Sequence, residues 1–145
     1  MLDTCVIVAA IKSRTGASFQ LVELATIRNE YFETVLTTAL INEYEDVIFR
    51  PEHRTARWRD ADLHGLIDSL LVPAEWVGTS FSFRPLLRDA GDELVVEAAI
   101  SGQASMIVTF NTKDFRPVKQ FGITVITPGE LLKILVEKGF EYGEE

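Results

Sequence analysis

The chain has 145 residues, a formal net charge of −8 and a single cysteine, Cys5. This length predicts one domain built around one hydrophobic core. A single cysteine excludes an internal disulfide and a cage of thiolate ligands. The negative charge argues against a protein that coats nucleic acid nonspecifically, because such affinity comes mainly from basic side chains. It does not exclude an enzyme whose carboxylates bind divalent cations.

The sequence also carries no sign of a membrane segment or a linker. No apolar run reaches the roughly 18 to 20 residues needed to cross a bilayer, and the N-terminus lacks the features of a signal peptide. We therefore expect a soluble, cytoplasmic protein. Because no repeat or linker-like segment interrupts the chain, we expect residues 1–145 to form a single domain.

Short apolar runs typical of strands alternate with helical patterns along the chain. Such alternation predicts an α/β fold, with helices on both faces of a central, twisted, mainly parallel sheet. We also expect Gly102 to cap the end of a buried helix. In chain order, the pattern predicts a strand at the N-terminus, a helix over 18–28, a strand over 32–37, helices over 39–49 and 60–71, a short strand near Trp76, a helix over 92–101, strands over 105–109 and 123–126, and a helix over 128–138.

Acidic side chains follow several of these predicted strands. Asp3 leaves the first strand, and Asp92 begins the buried helix. Glu43 lies in the helix after the second strand, and Asn111 and Asp114 follow a later one. Because the carboxyl ends of parallel strands meet at one edge of a sheet, we expect these residues to converge there. Oxygen ligands from separate segments are what Mg²⁺ or Mn²⁺ requires.

Each acidic residue also has an ordinary structural explanation. Asp3 could end a strand in a turn, and Asp92 is a good helix N-cap. Glu43 and Glu45 border opposite sides of the apolar face of the helix over 39–49. Periodicity alone does not choose between these two glutamates.

The residues around Asp3 do not fit several other enzymes. A nucleophilic aspartate of the haloacid-dehalogenase type needs a second aspartate two residues later, where this chain has Cys5. A cysteine phosphatase needs an arginine shortly after the cysteine, and Arg14 is too distant. A phosphate-receiving domain needs a lysine after a late strand, which "VITPGE" lacks. The histidines His53 and His64 do not have the spacing of a zinc motif.

Three segments, in this order, resemble a PIN-domain ribonuclease, in particular the VapC-like toxins of bacterial toxin–antitoxin pairs. They are "LDTCVIVAAI", "TALINEYEDVIFRP" and "RDAGDELVVEAAISGQASMIVTFNTKDF". The resemblance covers nearly the whole chain and implies a three-layer α/β/α fold. It further implies a Mg²⁺- or Mn²⁺-dependent endoribonuclease that cleaves single-stranded RNA, forms a homodimer and is covered by a small antitoxin protein.

Carried over residue by residue, the resemblance assigns the acidic catalytic positions to Asp3, Glu43 and Asp92. It implies that Asp3 and Asp92 are direct metal ligands and that Glu43 is the next. Many relatives have a further aspartate where this chain has Asn111, with Asp114 three residues later. Asp114, the carbonyl of Asn111 or a water molecule would then complete the site. The alternative is a non-catalytic PIN-like module that binds RNA or protein through an incomplete site.

The resemblance also concerns residues that support the acids. Thr109 matches a hydroxyl residue that organises the site. Relatives usually have asparagine where this chain has Cys5, so we expect weaker hydrogen bonding there. Only Leu2 separates Met1 from Asp3, so we expect a shortened first strand.

Two further groups of polar residues are candidates for the surroundings of the site. The segment "RPEHRTARWR" could place its basic side chains on one helical face that contacts RNA phosphates, with Trp58 available for base stacking. The alternative is a solvated face or a contact with an acidic partner. The basic residues are Arg50, His53, Arg54 and Arg57. We expect Asp89 and Glu93, on either side of Asp92, to be solvated, and Glu97 to lie at the rim of the cleft.

Overall fold

The computed structural model describes residues 1–78 and 90–141, and within these ranges the chain forms six α-helices and four short strands. Two 3₁₀ turns lie among them, at Pro51–His53 and Arg116–Phe121. The helices are α1 (Thr4–Lys12), α2 (Ala17–Ala25), α3 (Thr38–Ile48), α4 (Asp60–Leu71), α5 (Ala90–Ser101) and α6 (Pro128–Glu137). The strands are β1 (Val35–Leu36), β2 (Glu75–Trp76), β3 (Met106–Val108) and β4 (Thr124–Ile126).

All the pairings between these strands are parallel, as the α/β alternation predicts. In the described ranges, β1 pairs with β2 and β3 pairs with β4. The predicted N-terminal strand is reduced to one parallel bridge between Leu2 and Val108. The N–H of Asp3 donates to the carbonyl of Val108, and the N–H of Val108 donates to the carbonyl of Met1, both at 2.9 Å. This short ladder fixes Asp3 beside the end of β3.

The apolar run after Asp3 forms helix α1, an element that the sequence pattern did not predict. The Asp3 side chain caps it, because Oδ1 accepts a 2.8 Å hydrogen bond from the N–H of Thr4. Val6, Ile7 and Ala10 are at most 1% exposed. Branched residues are weak helix formers, so burial of this face rather than intrinsic propensity stabilises the helix.

Helix α3 is tied to the N-terminal segment through a buried tyrosine. The helix begins after Thr37, whose hydroxyl accepts a 3.1 Å hydrogen bond from the N–H of Leu40. Tyr44 is 1% exposed, and its hydroxyl donates to the carbonyl of Leu2. This contact holds α3 against the residue that precedes Asp3.

Helix α5 is buried and ends at Ser101, as predicted, and the left-handed residue beyond its end is not the glycine. Val96 and Ala99 are fully buried, at 0% exposure. Gly102 does not adopt a left-handed conformation, whereas Gln103 has φ 53°. A Cβ on Gly102 would lie 2.3 Å from Cγ1 of Val35. The glycine directly follows α5, as predicted for a C-cap, but its lack of a side chain is required for the close approach of α5 to β1 and not for a left-handed turn.

The end of α2 also differs from the predicted bounds of 18–28, since the helix ends at Ala25. The side chain of Asn29 explains this early end. Its amide donates to the carbonyl of Leu24 at 3.1 Å, and its oxygen accepts from the N–H groups of Tyr31 and Phe32 at 2.8 and 2.9 Å. A turn stabilised by an asparagine side chain competes with continued helix in this way.

The lengths and composition of the helices bear on membrane association. None of those in the described part of the chain is both long enough and apolar enough to span a membrane.

Candidate functional site

Four of the predicted site residues line one open cavity of about 280 Å³. Asp3, Glu43 and Asp92 contribute three carboxylates, and Asn111 contributes an amide. The structure therefore brings together side chains from the start of α1, from α3, from α5 and from the loop after β3. The other lining residues are Thr4, Cys5, Val8, Val47 and His53.

Asp3 is the most buried carboxylate of this cavity, with 5% of its surface exposed. Three donors compensate for its burial. The N–H of Thr4 donates to Oδ1 at 2.8 Å, the hydroxyl of Thr109 donates to Oδ2 at 2.7 Å, and the thiol of Cys5 donates to Oδ2 at 3.3 Å. Because each carboxylate oxygen has two acceptor positions, Oδ1 retains one for a further partner. The carboxylate is thus held in one orientation without being saturated.

Thr109 links Asp3 to the loop after β3. It is fully buried, and its N–H donates to the carbonyl of Ile126 at 2.9 Å. Its hydroxyl donates to Asp3 and accepts a 3.0 Å hydrogen bond from the N–H of Asn111. The hydroxyl therefore both donates and accepts a hydrogen bond, and these two bonds fix its position relative to Asp3 and Asn111.

Cys5 supports Asp3 as a neutral thiol. Burial, and then the negative charge of Asp3, raise the pKa of the Cys5 thiol to about 11. The thiol is therefore protonated at neutral pH and can act as a donor. Its sulfur also lies 3.6 Å from the hydroxyl oxygen of Thr109. Since a thiol is a weak donor, the contact of Cys5 with Asp3 is weaker than that of Thr109.

Glu43 and Asp92 are less buried than Asp3. Glu43 lies in the second turn of α3 and Asp92 in the first turn of α5, and each is partly exposed. Among the described residues, Glu43 belongs to the lining of the cavity and Glu45 does not. Periodicity left this choice open, and the packing of α3 against its neighbours makes it.

Three other acidic candidates, Asp114, Glu93 and Glu97, are not part of the described cavity lining. Asp114 is exposed and stands outside the described lining, although its N–H donates to the carbonyl of Asn111 at 3.0 Å. Glu93 and Glu97 are 3% and 8% exposed. The expectation of a solvated Glu93 and a rim position for Glu97 is wrong, because residues four positions apart share one helix face and this face is buried. Asp89 lies outside the described residues.

The basic segment does not form a helical face. It consists of a short 3₁₀ turn followed by a non-helical stretch up to α4, so the predicted helical alignment is wrong. Arg50 forms an ion pair with Asp46 at 2.9 Å, and Arg54 pairs with Asp60. Arg57 is exposed and has no ion pair within the described ranges. A role for these three arginines in contacting RNA stays a prediction.

Two residues of this segment occupy places that the sequence did not reveal. The side chain of His53 is 17% exposed and lines the acidic cavity. Its Nδ1 is buried and has no hydrogen-bond partner among the described residues. Trp58 lines a separate apolar cavity together with Phe19 and Leu66, so its ring is not presented to the acidic cavity. No spacing rule signals either placement, because both follow from the path of a non-helical segment.

The donor chemistry of the cavity bears on which metal ion it can hold. In the described part of the chain, no three histidine, cysteine or carboxylate side chains form a ready-made metal cage. Mg²⁺ does not need one, since it retains several waters and takes only one or two carboxylates directly. Carboxylates with an amide carbonyl are hard oxygen donors, which suit Mg²⁺ and Mn²⁺. The residues present therefore fit a hydrated divalent cation.

A comparison with protein families accounts for this combination of fold and cavity. A family model described as the PIN domain matches residues 1–113. This range includes Asp3, Glu43, Asp92 and Asn111, and it ends one residue before Asp114. No curated protein and no solved structure gives a significant match. The match spans more than half of the chain and confirms the predicted three-layer α/β/α fold. The chain belongs to the PIN domain family.

Proposed function

We propose that this protein is a Mg²⁺- or Mn²⁺-dependent endoribonuclease that cleaves single-stranded RNA. PIN domains are generally metal-dependent nucleases, which supports the nuclease class. The observation that carries the proposal is the convergence of Asp3, Glu43 and Asp92 on one open cavity. These residues are separated by tens of positions in sequence, and only the fold brings their charges together.

The residues of the cavity divide into fixed and accessible groups. Asp3 is held by three donors, so its carboxylate orients the site. Glu43 and Asp92 are partly exposed, and together with Asp3 they would hold the cation. The side-chain amide oxygen of Asn111 would complete the set of ligands. When bound, a divalent cation supplies neutralisation of phosphate charge and activation of water.

The first experiment uses a matched pair of glutamates on α3. Glu43 lines the cavity, whereas Glu45 lies two residues further on, is also partly exposed, and stands outside the described lining. Mn²⁺ binding by calorimetry and cleavage of an end-labelled single-stranded RNA are measured for the wild type, Glu43→Gln, Glu45→Gln and Asp92→Asn. We expect cleavage to be lost in Glu43→Gln and Asp92→Asn and retained in Glu45→Gln. Absence of Mn²⁺ binding by the wild type would contradict the proposal.

A non-catalytic RNA- or protein-binding module is the second candidate. The observation that favours it is the amide of Asn111 at a position where many relatives have a carboxylate, since one fewer charge weakens binding of a cation. The same assays separate the two functions. Wild-type protein that binds RNA and Mn²⁺ but does not cleave over a long incubation would support the module.

We also propose that the protein is the cytoplasmic toxin of a toxin–antitoxin pair, acting as a homodimer. Besides the resemblance, an apolar cavity of about 170 Å³ supports this, because it offers a place for the apolar side chain of an antitoxin. Its apolar walls are Ala10, Phe19, Val22, Trp58 and Leu66. Induced expression should arrest bacterial growth, and Asp92→Asn should abolish the arrest. Normal growth with the active enzyme would contradict the toxin role, and light scattering would test the dimer.

A further inference from the structure

Phe110 exposes its aromatic ring directly beside the buried end of β3. Its exposed fraction is 52%, whereas Val108 and Thr109 before it are 2% and 0% exposed. The chain thus passes within two residues from the core to a large apolar side chain in solvent. Single exposed apolar residues are common on proteins, so the position of this one decides whether it carries meaning.

Phe110 lies between two residues that belong to the acidic site. Thr109 donates to Asp3, and Asn111 lines the cavity. Since consecutive Cα atoms are about 3.8 Å apart, the Cα of Phe110 lies beside the backbone of a residue that lines the cavity.

The backbone around Phe110 is well fixed. The N–H of Thr109 donates to Ile126, the N–H of Asn111 donates to the Thr109 hydroxyl, and the N–H of Asp114 donates to the Asn111 carbonyl, at 2.9, 3.0 and 3.0 Å. A side chain carried by a fixed backbone can be presented to a ligand with little loss of conformational freedom. Phe110 therefore meets the requirement for a preorganised contact.

Apart from the imidazole of His53, the described lining of the cavity contains no aromatic side chain. Its described lining contains two apolar side chains of any size, Val8 and Val47. The other aromatic residue considered for stacking, Trp58, lines a different cavity. Among the described residues, Phe110 is an exposed aromatic residue directly adjacent in sequence to a residue of the cavity lining, Asn111.

We propose that Phe110 stacks on an unpaired base next to the scissile phosphate, and so selects single-stranded RNA. This inference rests on the proposed ribonuclease function and adds a substrate-binding residue to it. Proteins that bind single strands commonly use aromatic side chains as stacking platforms. A base inside a duplex is already stacked on its neighbours, so it is not available to the ring.

The test measures binding of a series of short single-stranded RNAs. Each RNA carries one fluorescent base, 2-aminopurine, at a different position of the strand. Ca²⁺ replaces Mg²⁺, and the fluorescence of the base and the Kd are measured. The proteins are the wild type, Phe110→Ala, Phe110→Trp and, as a control, Phe121→Ala, since Phe121 is another exposed phenylalanine, at 40%. Circular dichroism confirms that each variant is folded.

We expect quenching at one position with the wild type and Phe110→Trp. Phe110→Ala should lose the quenching and bind roughly 5- to 100-fold more weakly. Phe121→Ala should behave like the wild type. Unchanged Kd and unchanged quenching in Phe110→Ala would overturn the inference, as would failure of the wild type to bind the RNA. Quenched binding by a wild type that does not cleave in Mg²⁺ or Mn²⁺ would contradict the nuclease proposal and leave the stacking contact intact.

Discussion

The hydroxyl of Thr109 donates a 2.7 Å hydrogen bond to Oδ2 of Asp3 across 106 positions of sequence. The contact is buried and joins the end of β3 to the residue that caps α1. It therefore attaches the most buried carboxylate of the cavity to a fully buried residue at the end of a strand.

Replacement of Thr109 by valine should weaken both metal binding and folding. The substitution conserves shape but removes the hydroxyl. Loss of a group that orients a metal ligand typically costs 10- to 100-fold in metal affinity or activity. A buried acceptor left with one fewer donor also costs about 1–3 kcal/mol of unfolding free energy. Calorimetric titration with Mn²⁺ and urea denaturation measure the two effects. Thr109→Ser is the control that keeps the hydroxyl, and a Thr109→Val protein equal to wild type in both assays would contradict the assigned role.

The fourth position of the site is tested by comparing Asn111→Ala with Asp114→Asn. Asn111 lines the cavity, while Asp114 is exposed outside the described lining. We expect Asn111→Ala to lower Mn²⁺ affinity by roughly tenfold or more and Asp114→Asn to leave it nearly unchanged. The reverse order of the two affinities would instead assign the fourth position to Asp114.

Tyr44→Phe should destabilise the protein by about 1–2 kcal/mol. The mutation removes the hydroxyl that donates to the carbonyl of Leu2 and leaves this buried carbonyl without that donor. The measurement is chemical denaturation at pH 7. Leu63→Ile offers a comparison at another fully buried side chain without a polar group, and it should cost less than about 1.5 kcal/mol.

The same tyrosine should make stability fall at alkaline pH. Burial, followed by the charge of Asp3, raises the pKa of Tyr44 well above its ordinary value of 10.0. Because the folded-state pKa is above the unfolded-state pKa, the stabilising contribution is complete below pH 10 and is lost as pH rises through the folded-state value. The unfolding free energy of Tyr44→Phe should therefore decline less steeply than that of wild type above pH 10. Parallel curves for the two proteins would show that Tyr44 does not cause this decline.

Substitutions at the end of α5 should have opposite effects at neighbouring positions. Gly102→Ala would place a Cβ 2.3 Å from Val35, so we expect a loss of about 1–3 kcal/mol. Gln103 has φ 53°, which a glycine adopts without strain, so Gln103→Gly should stabilise by up to about 1 kcal/mol. Thermal unfolding measures both. If Gly102→Ala were neutral, the close approach of α5 to β1 would be wrong.

The sequence was sufficient to predict the α/β class, the parallel strands and the buried helix over 92–101. These features depend on periodicity and on the order of apolar runs, and both are properties of the chain itself. The placement of Asp3 and Asp92 at one edge of the fold follows from the same topology, since parallel strands end together.

Only the tertiary structure distinguished residues whose local patterns are alike. Glu43 and Glu45 border the same apolar face, and which one lines the cavity depends on how α3 is rotated against its neighbours. Gly102 resembles a helix cap in sequence, but it is also the residue at which any side chain would collide with Val35, 67 positions away. His53 lines the acidic cavity from a 3₁₀ turn. Contacts of this kind join distant segments, and no local pattern records the distance between them.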